Sequence, residues 1–282
     1  MTPEQYCQQK TKASHSSFAF AFFFLSKEKR LALNALYAFC REVDDIVDDS
    51  SHKNNRKKKL DAWRLEIDRL FNQVPQHPVS LGLLPHLDTF KLDKKNFVAI
   101  MDGMEMDLNC NRYASYRELH LYCYRAASVV GLLSANIFGY TNKATLKYAH
   151  DLGIALQITN IIRDIAEDSE RSRIYIPQDL LKKYEISEKD VLHNKNNKQM
   201  KLLVDDLSVH ALQFYQSAMK HLPHEDRDRQ KPGLIMGNIY FMLLQKIMKR
   251  NNGFTFNNKV SLSTSRKLII AITTVLGKSW IR

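Results

Sequence analysis

An all-α fold is what this sequence predicts, on three observations. Its 282 residues hold 9 Gly and 7 Pro, so 16 helix breakers stand where average usage gives roughly 34. Apolar residues recur at helical spacing over most of the chain, and the segments between them are short and polar. The shortage of glycine excludes a turn-rich all-β protein and disfavours repeated βα units, whose tight turns and phosphate loops consume it. At 44% hydrophobic, with 14 Phe and 12 Tyr, the chain can bury a sizeable core. No long linker and no internal period divides it, so residues 1–282 read as one helical domain.

In chain order, the apolar spacing predicts helices over Glu4 to Ser14 and Lys27 to Asp49, ended by the polar loop Ser50 to Arg56. Lys57 to Phe71 follows, with the basic run Arg56-Lys57-Lys58-Lys59 as its solvated start, and Asn72 to His77 closes it. Pro78 to Phe90 is read as helical despite Gly82 and Pro85. Lys94 to Asn109, Tyr116 to Phe138 and Lys143 to Asp168 are strongly apolar on one side, and the loop Ser169 to Pro177 stops the last of them. Gln178 to Tyr184, Lys198 to Leu222, Lys231 to Lys249 and Ser263 to Leu276 complete the set, with loops at His193 to Asn197 and Asn251 to Asn258. The last helix is apolar enough to be a core helix or a membrane-facing one, and the core reading is preferred.

Lys and Arg exceed Asp and Glu by 42 − 30 = 12, which points to an anionic partner: nucleic acid, an acidic membrane surface or a phosphorylated substrate. A nucleic-acid patch needs aromatics interleaved with basic residues, and the one dense basic run has none. Cys7, Cys40, Cys110 and Cys123 form no CxxC pair and no metal-ligand spacing, as expected of reduced thiols in a cytoplasmic protein. No apolar run reaches the roughly 20 residues of a spanning helix. Phe18 to Leu25 has the length of a signal-peptide core, but Ser26-Lys27-Glu28-Lys29-Arg30 follows without a cleavage pattern, so it reads as mature protein.

The chemistry is concentrated in two helices. Asp44-Asp45-Ile46-Val47-Asp48-Asp49 puts four carboxylates at a helix C-terminus, where they oppose the macrodipole and repel one another at i,i+4 unless a cation offsets them. Arg41 and Tyr37 lie one and two turns earlier on roughly the same stripe. In the second helix, Asn160, Asp164 and Asp168 repeat every four positions beside Gln157 on a strongly apolar background. Buried carboxylates need metal or cationic partners. Two Asp-x-x-x-Asp faces suit a hard divalent cation such as Mg²⁺ that bridges to phosphate oxygens. The simpler readings are an acidic helix end neutralised by the following basic run, and a solvated polar face. Arg171-Ser172-Arg173-Ile174-Tyr175-Ile176-Pro177 then supplies a loop able to close two guanidinium groups over a phosphate. The di-iron bundle alternative fails, because it needs Glu-x-x-His pairs on two helices and Glu118 is followed by Leu121.

These pieces resemble the squalene and phytoene synthase family. The resemblance rests on Leu36-Tyr37-Ala38-Phe39-Cys40-Arg41 leading into the first aspartate motif, Gly103-Met104-Glu105-Met106-Asp107-Leu108, Tyr122-Cys123-Tyr124 with Gly131, the Gln157 to Asp168 helix, and Arg173-Ile174-Tyr175-Ile176-Pro177. Thr2-Pro3-Glu4-Gln5-Tyr6-Cys7 and Tyr124-Arg125-Ala126-Ala127-Ser128-Val129-Val130-Gly131 are most similar to its bacterial presqualene diphosphate synthase branch, of squalene and hopanoid biosynthesis. The resemblance implies an isoprenoid synthase fold around a central cavity and the head-to-head joining of two molecules of farnesyl diphosphate. It implies Mg²⁺ held by Asp44, Asp48, Asn160, Asp164 and Asp168. Arg41, Arg163 and Arg173 would offset phosphate charge, with Ser17 and Gln157 near the substrate. Tyr37, Tyr124 and Tyr240 would face the reacting carbons, and Phe18 and Phe22 would line the prenyl cavity. Phytoene synthesis from geranylgeranyl diphosphate and full squalene synthesis with NADPH are the alternatives. Downstream squalene-forming enzymes and a peripheral membrane contact are the implied partners. Many relatives have a catalytic tyrosine where this chain has Arg125, which leaves the role of Tyr124 open.

Overall fold

The computed structural model describes residues 1–13, 25–48, 55–250 and 259–281, and among these it is helical with no strand. The helices are α1 (Pro3–Ala13), α2 (Lys27–Asp48), α3 (Arg56–Phe71), α4 (Pro78–Leu83), α5 (Lys94–Asn109), α6 (Tyr116–Cys123), α7 (Val129–Phe138), α8 (Ala144–Glu170), α9 (Gln178–Lys183), α10 (Glu188–Leu192), α11 (Lys198–His221), α12 (Lys231–Arg250) and α13 (Thr264–Val275). Several of their starts are capped by short polar side chains that satisfy otherwise orphaned amides. The Asp93 carboxylate accepts from Lys95 N at 3.2 Å, Asn197 from Met200 N at 2.8 Å and Ser263 from Arg266 N at 3.3 Å.

Three elements differ from the sequence expectation. The expected helix Pro78 to Phe90 stops at Leu83 and tightens into a 3₁₀ turn over Leu84–His86, because Pro85 offers no amide to continue the ladder. The expected single helix Tyr116 to Phe138 is continuous but opens into a wide π turn over Tyr124–Ser128, where Val129 N–H reaches back to the Tyr124 carbonyl. Ser187 and Asp190 form a reciprocal capping box that starts α10, a one-turn helix absent from the expectation. Taken as one stretch, 116–138 is long and apolar enough to cross a bilayer, with 44% of that window buried in the protein.

Two apolar clusters hold these helices. One gathers α2, α3, α4 and α5 around Phe39, Trp63 and Phe97, and the other is built on α8 and α11 around Tyr148, Leu207 and Tyr215. The stripes of α7 and α12 contribute to both clusters. Gly153 permits the closest approach between them: a Cβ there would stand 2.5 Å from Ser128 Cα, so α8 can lie directly on the π turn. Where the clusters meet, a cavity of about 250 Å³ remains, walled by α2, the π turn with α7, α8 and α12.

Candidate active site

The cavity wall is mostly apolar, with a few polar groups. Tyr37 and Cys40 come from α2, Gln157 and Asn160 from α8, and Met236 and Tyr240 from α12. The Oδ1 of Asn160 is buried with no hydrogen-bond partner, an orphan that a buried polar atom carries only at some cost. The Tyr240 hydroxyl lies beside the Arg163 guanidinium. One and two turns beyond Asn160 stand Asp164 and Asp168, so the polar stripe of α8 runs from the cavity outward.

The two aspartate motifs share a common electrostatic environment. Burial, with the neighbouring Asp48 charge, pushes the Asp44 carboxyl up to about 6. Burial and Asp164 push Asp168 up to about 7. Asp107 on α5 adds to both shifts, which puts a third carboxylate under the pair. Asp107 is itself buried; burial raises it to about 6, against hydrogen bonds from Tyr175 at 2.6 Å and Tyr122 at 3.1 Å. The cations come from the C-terminal half of the chain. Arg173 donates to Asp48 at 3.0 Å and Arg171 donates to its other oxygen at 2.9 Å. Arg163 pairs through Nε and Nη2 with its neighbour Asp164, and Lys259 reaches Asp164 at 3.2 Å and Glu167 at 2.6 Å.

Each expected residue can now be placed. Tyr37, Gln157, Asn160 and Tyr240 line the cavity. Asp44, Asp48, Asp164, Asp168 and Arg173 form the polar cluster beyond it. Arg41 points along its own helix, bonded to Asp44 and Asp45 at 2.8 Å each. Asp45 turns away to Lys10 at 3.1 Å. The basic run does not supply the partners of Asp48, which lie instead on the loop after α8, while Lys57 pairs with Glu105. Ser17, Phe18, Phe22 and Asp49 lie outside the described residues.

Tyr124 is a correction. It does not line the cavity but a separate surface groove with His120 and His150, its ring 5.8 Å from that of His150. Tyr122, on the regular turn before the π turn, is the buried tyrosine, hydrogen-bonded to Asp107. Arg125 also faces outward, donating to Met106 Sδ at 3.5 Å and lying 3.7 Å from Asp102. Asp107, Tyr122 and Tyr175 are site residues that the sequence reading noted within motifs without a role. A lone Asp among Met104, Met106 and Leu108 was the available signal. Lys259, and Lys267 whose ammonium burial and Arg163 push down, were missed because both lie far along the chain.

The donor set fits a hard divalent cation. It consists of oxygens only, Asp44 and Asp168 are raised by burial and by neighbouring carboxylates, and Asn160 holds a spare buried acceptor. Among the described residues no three ligand side chains already converge on one point.

An apolar cavity enclosed by helices, with carboxylates and guanidiniums clustered at one end, defines the class as isoprenoid synthase. A solved dehydrosqualene synthase with ligand superposes with TM-score 0.87 at 26% identity, over 98% of this chain and 95% of that one. A squalene synthase of Alicyclobacillus acidocaldarius shares the fold, with TM-score 0.80 at 22% identity over 89% and 94% of the two chains. The family model for squalene/phytoene synthase matches residues 11–266, and the chain belongs to that family. The presqualene diphosphate synthase of Rhodopseudomonas palustris is 37% identical over 250 residues, 88% of this chain and 89% of that protein. The 15-cis-phytoene synthase of Synechocystis sp. is 31% identical over 288 residues, 98% and 84% of the two.

Proposed function

We propose that this protein joins two molecules of farnesyl diphosphate head to head to give presqualene diphosphate, releasing one diphosphate, on a route to squalene and hopanoids. The observation that carries this reading is the 37% identity to a presqualene diphosphate synthase, against 31% for a phytoene synthase at greater coverage. The division of the site into an apolar cavity and a charged end supports it, since a prenyl diphosphate is divided the same way.

Asp44, Asp48, Asn160, Asp164 and Asp168 would hold Mg²⁺, which when bound supplies positive charge to the leaving diphosphate. Arg173 and Arg171, paired with Asp48, would exchange it for phosphate oxygens, keeping the guanidinium forks satisfied before and after substrate enters. Arg163, backed by Tyr240, offers a further fixed charge. In the reaction, the allylic C–O bond of the donor breaks and diphosphate departs with the electron pair. The double bond of the acceptor forms the new C–C bond, and loss of one proton closes the cyclopropane. The walls around Tyr37, Leu156 and Tyr240 exclude water from the cationic carbons and turn ring faces toward them.

Purified protein incubated with Mg²⁺ and farnesyl or geranylgeranyl diphosphate, with and without NADPH, tests the reading. Presqualene diphosphate from farnesyl diphosphate without NADPH is expected, and Asp44→Ala and Asp164→Ala each reduce its formation by at least about a hundredfold. Phytoene from geranylgeranyl diphosphate, or no product until NADPH is added, would overturn it.

A further inference from the structure

We propose that the outer face of α13 docks on an anionic lipid surface. This helix packs inward through Ile270, Ala271 and Thr274, with the Thr274 hydroxyl accepting from Asn238 of α12 at 2.9 Å. Its outer side carries Leu268, Ile269, Ile272 and Leu276, exposed by 48%, 49%, 46% and 80%. Spaced i, i+1, i+4 and i+8, they form one continuous stripe. No other described element exposes more than two large apolar side chains. A contiguous aliphatic patch of this kind marks a contact surface.

A tryptophan and two cations beside the stripe identify the contact. From Arg229 to the C-terminus the chain has ten Lys and Arg and no Asp or Glu. Of these, Lys259 and Lys267 turn to the active site, at Asp164 and Arg163, while Arg266 and Lys278 stand at the stripe. At the margin of the stripe the Trp280 ring has the Lys278 ammonium at 4.2 Å and the Arg266 guanidinium at 5.5 Å, and its Nε1 donates to Thr273 at 3.1 Å. Aliphatic side chains flanked by a Trp and by cations match the acyl boundary and headgroup layer of an acidic leaflet. Nucleic acid would satisfy the charge and leave the aliphatic stripe in water. A second copy of this chain would cover the stripe while setting two equally positive rims against each other. The helix behind the stripe, α12, also walls the cavity through Gly233, Met236 and Tyr240, so apolar cargo of the proposed reaction has a lipid phase close by.

Flotation of the full chain with vesicles tests the docking independently of which reaction is catalysed. Vesicles of phosphatidylcholine with about 30% phosphatidylglycerol should carry the protein, and phosphatidylcholine alone should bind roughly tenfold less or worse. The variant Leu268→Ser/Ile272→Ser/Leu276→Ser should lose about tenfold or more in binding while keeping its unfolding midpoint and its turnover of detergent-dispersed substrate. Arg266→Glu/Lys278→Glu, which leaves the aliphatic stripe intact, should lose binding to the anionic vesicles by a similar factor. Wild-type protein that floats with neither vesicle, or variants that float as well as wild type, would overturn the proposal. A wild-type dimer that the serine substitutions dissolve would also overturn it and assign the face to a second copy.

Discussion

Replacing Tyr175 by Phe removes one hydroxyl and leaves the ring free to keep its stacking on Tyr122, 4.9 Å away. The hydroxyl is the shorter of the two donors to Asp107, at 2.6 Å. Asp107 is 8% exposed and its carboxyl is raised from the ordinary 3.8 to about 6, so holding it ionised above that pH costs about 3 kcal/mol. A hydrogen bond to a charged acceptor contributes about 1.5–3 kcal/mol, against about 1 kcal/mol for a neutral one. Because the folded value lies above the unfolded one, the penalty from Asp107 is absent below about pH 4 and complete above about pH 6. Without Tyr175 the carboxyl moves higher still, and the variant's deficit is fully developed only above the new value. The expected loss is about 2 kcal/mol near pH 8, or about 4–8 °C in midpoint for a chain of this size, falling to about half near pH 5. Thermal unfolding followed by far-ultraviolet circular dichroism at the two pH values measures it. Equal midpoints for variant and wild type near pH 8, or equal losses at both values, would refute the assignment of Asp107 as a buried charge held by tyrosines.

Two further outcomes follow from the geometry. Arg173→Lys keeps the charge but cannot reproduce its contacts to Asp48 and to the Val47 carbonyl, so steady-state kinetics should show KM for the diphosphate substrate raised about tenfold; an unchanged KM would remove Arg173 from diphosphate binding. Gly153→Ala places a methyl group 2.5 Å from Ser128 Cα and 2.9 Å from Ser128 N, both backbone atoms that cannot swing aside. It should destabilise the fold by about 1–3 kcal/mol, read by calorimetry, whereas an unchanged midpoint would mean that α8 and the π turn can separate freely.

Much of the site was legible because its donors recur within a helix. Asp44 with Asp48, and Asn160 with Asp164 and Asp168, are spaced at i,i+4, and helical geometry alone puts each set on one side. Tyr124 came from the family resemblance, and the structure places it in the groove with His120 and His150 instead of the cavity. The π turn over Tyr124–Ser128 changes the phase of the residues that follow it, which spacing along the chain does not announce. Asp107 was legible as an unusual residue in an apolar helix, but its effect on both aspartate motifs depends on its distance in space from Asp44 and Asp168.

The sequence by itself determined most of the helices and the two carboxylate stripes, because periodicity, breaker content and i,i+4 spacing are local properties of the chain. Which cations answer those carboxylates was decided only by tertiary structure. Asp48 is paired with Arg171 and Arg173, 123 and 125 residues away, not with the basic run that follows it. Likewise, Leu268 to Leu276 is an apolar stretch in sequence, and only its packing on α12 separates the buried Ile270 and Ala271 from the exposed Leu268, Ile269, Ile272 and Leu276. Charge pairing and burial depend on distance in space, which spacing along the chain does not encode.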